Sequence, residues 1–449
     1  MNIAILGAGV EGKALTKYFA EKGEKITLCD ERFVDGPFPR GVRTNFGKNY
    51  MKNLEQYGMV FRSPGIPYLN RDIQRAISKG TMVTSMTKYF FEKCPCPIVG
   101  ITGTKGKGTT ASLLMRMLKS KKDGDVYIGG NIGYPSIDFL DDLKKDDLVV
   151  LELSSFQLQD LEESPHIAVV LDITPDHQDH HRSIEEYVEA KKNIVRYQEK
   201  GDVAILAGGE FSAAFADGAR GEVLFVDDNA KKKFLFEKGK RVRTKLIGPH
   251  NDINLTAAAI AASRLGVSME DIHAAMREFE GLPHRLQFVA EREGVIFYDD
   301  SCSTTPETAI AAVKAFDKPI ILIAGGSDKG VDYATLGEEL IINPHVKAVV
   351  LMGPTRTKIE AAIDHANEKF FKKMQATQKL EELVQRTKSP LEVITADSYQ
   401  EAFMTARLMA QPGDVVLLSP ASASFDQFAN YAQRGDIFQR FVKDEEETA

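Results

Sequence analysis

Short apolar runs recur along this chain, separated by amphipathic stretches, and most of them end on a glycine or a carboxylate. Runs that are apolar throughout, rather than alternating, mark strands buried on both faces of a parallel sheet. Asn2-Ile3-Ala4-Ile5-Leu6 leads into Gly7-Ala8-Gly9-Val10-Glu11-Gly12 and then a helical pattern over Lys13–Ala20. Lys25-Ile26-Thr27-Leu28-Cys29 ends at Asp30, and shorter strands are predicted at Met59-Val60-Phe61 and Met82-Val83-Thr84. Pro97-Ile98-Val99 precedes a glycine-rich loop and the helical pattern Ala111–Leu118. Asp147–Leu153 and Ile167–Ile173 read as buried parallel strands, and residues 251 to 265 as an alanine-rich helix. Four further strands are predicted at Val295–Tyr298, Pro319–Ala324, Val346–Leu351 and Asp414–Leu418.

This alternation predicts an α/β chain. Two breaks divide it, the proline-rich Cys94-Pro95-Cys96-Pro97, which reads as a linker, and Gly281-Leu282-Pro283. The expected domains are 1–95, a Rossmann-like N-terminal domain; 96–281, a central P-loop ATPase-type domain; and 282–449, a Rossmann-like C-terminal domain. A length of 449 residues agrees with roughly three domains. The tail Lys443–Thr448 is charged and expected to be solvated.

Charge and cysteine content narrow the function. A net charge of -7 argues against a nonspecific nucleic-acid or membrane-surface binder, so an anionic substrate must be met by local lysines, arginines and helix ends. The four cysteines, Cys29, Cys94, Cys96 and Cys302, form neither a disulfide framework nor a paired zinc motif. Reduced thiols, a strand at the very N-terminus and no run able to span a bilayer predict a cytoplasmic location and no membrane partner.

The strongest chemical signal is Ile101-Thr102-Gly103-Thr104-Lys105-Gly106-Lys107-Gly108-Thr109-Thr110. Strand, glycine-rich loop and helix together make a phosphate cradle, in which backbone N–H groups and a helix N-terminus face one anion. Lys107 can reach the terminal phosphates, and Thr109 or Thr110 can approach a bound Mg²⁺. Glu152, at the end of a later strand, is placed to hold the metal directly or through water. Asp176-His177 also follows a buried strand and joins Glu152 as a candidate, whereas His180 and His181 read as ordinary loop residues. Gly7–Gly12 with Asp30 fits a pyrophosphate-binding turn. By themselves His284, Arg285 and Asp300 are ordinary polar residues.

In order and spacing these stretches resemble the Mur ligases, and most closely the D-glutamate-adding branch. The resemblance runs over essentially the whole chain. It rests on Gly7–Gly12 with Asp30, Ser63-Pro64-Gly65-Ile66, Gly103–Thr109, Gly130-Asn131-Ile132-Gly133, Glu152–Leu158, Asp176-His177, Tyr187–Lys191, His250–Asn254, Leu282–Arg285, Gly325–Lys329 and Leu418–Phe428. It implies that the first domain binds the UDP of the substrate and the second binds ATP. The third would take the amino acid and complete the ATP site. The reaction would be ATP- and Mg²⁺-dependent amide formation through an acyl phosphate. The small-molecule substrates would be UDP-N-acetylmuramoyl-L-alanine and D-glutamate, and a monomer is expected.

The family's site residues then fall on particular positions. Gly103, Thr104, Lys105, Gly106, Lys107, Gly108, Thr109, Asn254, Arg285 and Asp300 would bind ATP. Gly9, Val10, Glu11, Asp30, Glu31, Arg32, Ser63, Gly65 and Asn131 would bind the UDP-linked substrate. Lys329, Ser424, Tyr431 and Thr304 would surround the amino acid. Lys107, Glu152, His177 and Lys191 would be catalytic, and Thr109, Glu152, His177 and a carbamylated Lys191 would serve the metal. A bare ammonium about 4 Å from a divalent ion is repelled by roughly 8 kcal/mol at an effective dielectric near 20, and a carbamate reverses that sign. Without the resemblance, Lys191 beside Lys192 reads as a solvated helix lysine.

Two positions depart from the family. Gly108 replaces the usual Ser or Thr and resembles the folylpolyglutamate synthetase loop, which leaves Thr109 to approach the metal. Cys302 replaces a lysine near the acceptor carboxylate and puts the strength of D-glutamate binding, and the acceptor's identity, in question. A folylpolyglutamate-type ligase is therefore one rival, although the N-terminal Rossmann-like domain suits a UDP-sugar carrier better. An NAD-dependent oxidoreductase built on Gly7–Gly12 leaves the phosphate loop unexplained. A non-catalytic nucleotide switch would bind ATP without consuming it.

Overall fold

The computed structural model describes residues 1–121, 123–174, 183–248, 250–377 and 391–443. Three parallel-type sheets account for nearly all the strands. The first contains β1 (Asn2–Leu6), β2 (Lys25–Asp30), β3 (Arg43–Phe46), β4 (Met59–Arg62) and β5 (Met82–Thr84), in the order β3-β2-β1-β4-β5. All its pairings are parallel. The strand order reverses between β1 and β4, so the loops after these two strands flank the crevice where open α/β sheets hold ligands.

The second sheet contains β6 (Ile98–Thr102), β7 (Val126–Gly130), β8 (Leu148–Glu152), β9 (Ile167–Val170), β10 (Val203–Leu206) and β11 (Glu222–Phe225). Its order is β11-β10-β9-β6-β8-β7, again wholly parallel. Here β6 stands at the reversal, between β9 and β8. A small hairpin follows, β12 (Phe236–Glu237) with β13 (Lys240–Arg241).

The third sheet contains β14 (Gln287–Arg292), β15 (Val295–Asp299), β16 (Ile320–Gly325), β17 (Val346–Met352), β18 (Glu392–Thr395) and β19 (Val415–Leu418). Its order is β14-β15-β19-β16-β17-β18, and only β14 runs antiparallel.

The chain divides into two compact units, Met1–Arg243 with His250–Arg277, and Thr244–Pro249 with Glu278–Ala449. The first two sheets lie within one unit and share one hydrophobic core, from Ile5 and Phe61 through Phe90 and Phe139 to Leu151. The helix Met86–Lys93 bridges them. Its N-cap Ser85 accepts the Lys88 N–H at 3.1 Å, and Pro95 prevents its continuation. Phe90 meets Phe139 edge-to-face with centroids 5.6 Å apart. In the stretch expected to be a linker, Cys96 is buried in the shared core while Pro95 and Pro97 are exposed. In the second unit, separate apolar clusters cover the two faces of the third sheet.

The glycines after β1 have separable duties. A Cβ on Gly12 would run into the backbone oxygen of Gly7, whereas a Cβ on Gly9 would meet nothing within 4 Å. Gly12→Ala is expected to destabilise the first unit by about 1–3 kcal/mol. Gly9→Ala, which only weakens a helix N-cap, should cost at most about 1 kcal/mol. Urea unfolding curves of the two variants check this contrast.

Candidate active site

The phosphate loop joins β6 to the helix Lys107–Leu118. Gly103 and Gly106 both hold positive φ, at 148° and 85°. A Cβ on Gly103 would press on Leu171, and one on Gly106 would run into the Asn254 carboxamide oxygen. The helix has Gly106 as its N-cap with no side-chain cap, and its first turn contains no acidic residue. The helix thus supplies no capping side chain or acidic group of its own to its N-terminal N–H groups and dipole, which suits an incoming phosphate.

Neighbouring strands brace the loop. Thr104 N donates to Asp172 O at 2.9 Å, while its Oγ1 donates to Thr174 O at 3.0 Å and lies 3.2 Å from Tyr187 Oη. Thr102 Oγ1 donates to Leu153 O at 2.8 Å. Lys107 Nζ curls back to Gly103 O at 3.2 Å and Thr104 O at 3.0 Å. Lys191 Nζ donates to that same Gly103 O at 3.1 Å and to Thr102 Oγ1 at 3.1 Å. Two ammonium groups thus converge on one carbonyl oxygen.

Lys191 corrects the reading of a solvated helix lysine. It is 1% exposed, and its Nζ lies 4.7 Å from the centroid of the Tyr187 ring. Its helix, Ile184–Arg196, turns this face inward, with Tyr187, Val188, Ala190 and Ile194 buried beside it. Lys192 lies on the other face and pairs with Glu189 at 3.4 Å.

Glu152 ends β8 beside β6, with Ile101 as its register partner. Its side chain is buried, and Asn131 Nδ2 donates to Oε1 at 3.3 Å. Thr109 is buried in the first turn of the loop's helix. Asn254 Nδ2 donates to Asn251 Oδ1 at 2.9 Å, and Asn254 packs under Gly106. Asp176 and His177 lie outside the described residues, as do His180 and His181. Among the described residues no cluster of three or more His, Cys, Asp or Glu suits a metal ion.

At the first sheet, Asp30 braces the glycine turn. Its Oδ2 accepts the Ala8 N–H at 2.7 Å and its Oδ1 the Arg32 N–H at 2.8 Å. Ser63 packs against Gly7, where a Cβ would collide with its hydroxyl. Glu11 Oε1 accepts from Gln157 Nε2 at 3.1 Å, and burial raises its carboxyl above the usual range. Val10, Glu31, Arg32, Gly65 and Asn131 are exposed. The loops carrying Gly9 and Ser63 therefore border the reversal point of the first sheet, while Asn131 follows the edge strand β7 of the second and reaches Glu152.

In the second unit, Asp300 follows β15 and is deeply buried. Its Oδ2 accepts from Ser419 Oγ at 2.7 Å and its Oδ1 from Leu286 N at 3.1 Å, and burial pushes its pKa up to about 7. His284 Nδ1 lies 2.7 Å from Asp299 Oδ2, and that hydrogen bond raises the imidazole's pKa. The ring is thus committed to Asp299 and does not serve Cys302, whose N–H donates to His284 O at 2.9 Å. Arg285 Nη2 lies 3.6 Å from Cys302 Sγ. Lys329 is exposed, with its Nζ 5.7 Å from the Phe425 centroid. Ser424 is buried, Thr304 half-buried and Tyr431 exposed.

Comparison with known proteins decides the family. A UDP-N-acetylmuramoylalanine--D-glutamate ligase of Clostridium tetani is 34% identical, covering 98% of this chain and 96% of its own length. One from Acetivibrio thermocellus is 36% identical over the same shares. The chain belongs to the Mur ligase family.

Family profiles match in three consecutive stretches: the Mur ligase MurD-like N-terminal domain over residues 1–85, the Mur ligase middle domain over 101–262, and the Mur ligase glutamate ligase domain over 284–422. Among solved structures, a MurF ligase from Thermotoga maritima in complex with ADP aligns with a TM-score of 0.57 at 17% identity, over 99% of this chain and 95% of that one. A UDP-N-acetylmuramate-alanine ligase from the same organism aligns at 0.55 and 17%, over 99% and 100%. At that identity these two structures speak for the fold alone. The three-domain α/β architecture expected from the strand pattern is the family's own.

Sequence reasoning missed two buried arginines. Arg62 ends β4 and is 1% exposed, paired with Asp160 at 2.8 Å. Arg434 binds four acceptors on two loops of the third sheet: Ser301 Oγ, Ser301 O, Ser422 O and Ala423 O, at 2.9–3.1 Å. Burial lowers its pKa to about 10. Nothing in local spacing separates either from a surface arginine.

Asp300 gives the second unit a pH signature. Its carboxyl holds a proton more tightly folded than unfolded, so the native state binds more protons between the usual 3.8 and about 7. Stability should fall as pH rises through that window and level off above it, by about 4 kcal/mol in all. His284 acts with the same sign: its contribution is complete below the unfolded imidazole pKa of about 6.5 and is lost as pH rises through the raised folded value. Asp300→Asn should flatten the acid part of the slope, read by chemical unfolding across the pH series.

Proposed function

We propose that this Mur ligase joins D-glutamate to UDP-N-acetylmuramoyl-L-alanine at the expense of ATP, in the cytoplasm and as a monomer, in the synthesis of peptidoglycan precursor. The observation carrying this reading is 34–36% identity, over nearly the full chain, to ligases named for that reaction. The uncapped phosphate loop supports the ATP requirement. We assign residues 1–95 to the UDP-linked substrate, 96–281 to ATP and 282–449 to the amino acid.

In the first step an oxygen of the alanyl carboxylate attacks the γ-phosphorus of ATP, and ADP leaves. Both partners are anionic, so the barrier is largely electrostatic. Lys107 and the uncapped N–H groups after Gly106 meet the charge that develops on the phosphoryl oxygens. In the second step the amine of D-glutamate attacks the acyl phosphate carbonyl, and phosphate leaves. Lys329, Ser424, Thr304 and Tyr431 are assigned to the amino acid, an ammonium and hydroxyls suiting a dicarboxylate. Asn254, Arg285 and Asp300 keep the nucleotide roles that the resemblance gives them. Gly9, Val10, Glu11, Asp30, Glu31, Arg32, Ser63, Gly65 and Asn131 are assigned to the UDP-linked substrate.

The oxygen donors of Glu152 and Thr109 suit Mg²⁺, with His177 in support, and a carbamate on Lys191 would add to them. When bound, the metal would screen phosphate charge.

Phosphate release is expected only when ATP, UDP-N-acetylmuramoyl-L-alanine and D-glutamate are all present. Release with another amino acid, and none with D-glutamate, would overturn the acceptor and point to Cys302. Lys107→Ala should lower kcat by about a hundredfold or more while circular dichroism stays unchanged. Normal turnover in that variant would refute the phosphate-loop assignment.

Lys191→Arg should cost about 10- to 100-fold in activity, since a guanidinium takes up no carbamate. Labelled bicarbonate should give a carbamate carbonyl NMR signal in the parent protein and none in the variant. A parent protein without that signal has an unmodified Lys191.

A further inference from the structure

Arg62 is the last residue of β4, at the C-terminal ends of the strands where a charged side chain would ordinarily reach solvent or ligand. Instead it turns into the seam between the first two sheets, with its side chain fully buried. One terminal nitrogen, Nη1, donates to Ile66 O at 2.7 Å, Pro64 O at 3.3 Å and Ser63 O at 3.4 Å. The other, Nη2, donates to Asp160 Oδ1 at 2.8 Å and Phe156 O at 3.4 Å. One guanidinium therefore grips the Ser63–Ile66 loop with one hand and the segment after Glu152 with the other.

That segment is itself tied by hydrogen bonds. Ser154 and Gln157 form a capping box, and Gln157 also reaches Glu11 on the first glycine turn. Ser63 abuts Gly7. Arg62 Nε has no partner among the described residues, a buried N–H left unmatched. Burial with one donor unmatched is unfavourable by itself, so the five contacts of the terminal nitrogens are what the position supplies.

We propose that Arg62 is a positioning residue for the UDP-linked substrate. It fixes the Ser63–Ile66 loop to the chain that carries Glu152, and thereby sets where the substrate's carboxylate meets the phosphate loop. Asp160 holds the guanidinium in that orientation. The proposal rests on the assignment of Ser63 and Gly65 to this substrate.

Arg62→Lys keeps the charge but has only three donors on one nitrogen, which cannot span both loops. Asp160→Asn leaves the guanidinium and removes its anchor. Both variants are compared with the parent by calorimetric titration with UDP-N-acetylmuramoyl-L-alanine and with ATP, and by steady-state kinetics. Arg62→Lys should raise Kd and KM for the UDP-linked substrate about tenfold or more and lower kcat, since a displacement near 1 Å is that damaging. Its Kd for ATP should stay within about twofold, since Arg62 touches none of the residues assigned to the nucleotide. Asp160→Asn should shift the same constants in the same direction by less.

Unchanged binding of the UDP-linked substrate in Arg62→Lys overturns the proposal. So does an equal loss of ATP affinity, which would mark a purely structural role. If the parent protein itself fails to bind the UDP-linked substrate, the functional assignment falls and takes this inference with it.

Discussion

Two ammonium groups, those of Lys107 and Lys191, share the carbonyl oxygen of Gly103. Like charges at one acceptor repel, and a carbamate on Lys191 would reverse the sign of one of them beside Lys107. The rest of the loop is arranged around that condition. Gly103 and Gly106 take backbone conformations that other residues seldom adopt, Leu171 and Asn254 fill the space a side chain would need, and the helix after Gly106 has no internal cap. Backbone N–H groups, a helix N-terminus and Lys107 are thereby held in fixed positions, and preorganised charge is what a reaction between two anions requires.

The loop itself was legible because its chemistry is local: glycines, a lysine and a helix start, consecutive in the chain. Glu152 was legible for a related reason, since a carboxylate closing an apolar run announces the end of a buried strand. Asp30 was picked out by its spacing from the glycine turn, and the structure shows its carboxylate bracing that turn through the Ala8 and Arg32 N–H groups.

Other features were not legible. Lys191 and Lys192 are neighbours with opposite fates, and only helix packing tells them apart. Arg62 and Arg434 each combine acceptors close in sequence with others about a hundred residues or more away, and the distant ones are invisible to local spacing. The edge strands β3, β14 and β18 are short or partly polar and lack the continuous apolar signal that revealed the central strands. Local patterns thus disclosed what local backbone geometry dictates, and concealed what long-range packing dictates.

The continuous core beneath the first two sheets has a consequence for how this protein comes apart. Phe61 and Phe90 belong to the same apolar mass as Phe139 and Leu151, so one face of the first sheet is closed only by the second, while Leu6, Val60 and Ile73 form a cluster within the first sheet's own segment. A fragment cut at the Cys94–Pro97 junction would carry a raw, greasy flank into water. The two sheets should melt together as one cooperative body, and anything that grips the phosphate loop should also shield the N-terminal sheet from proteases.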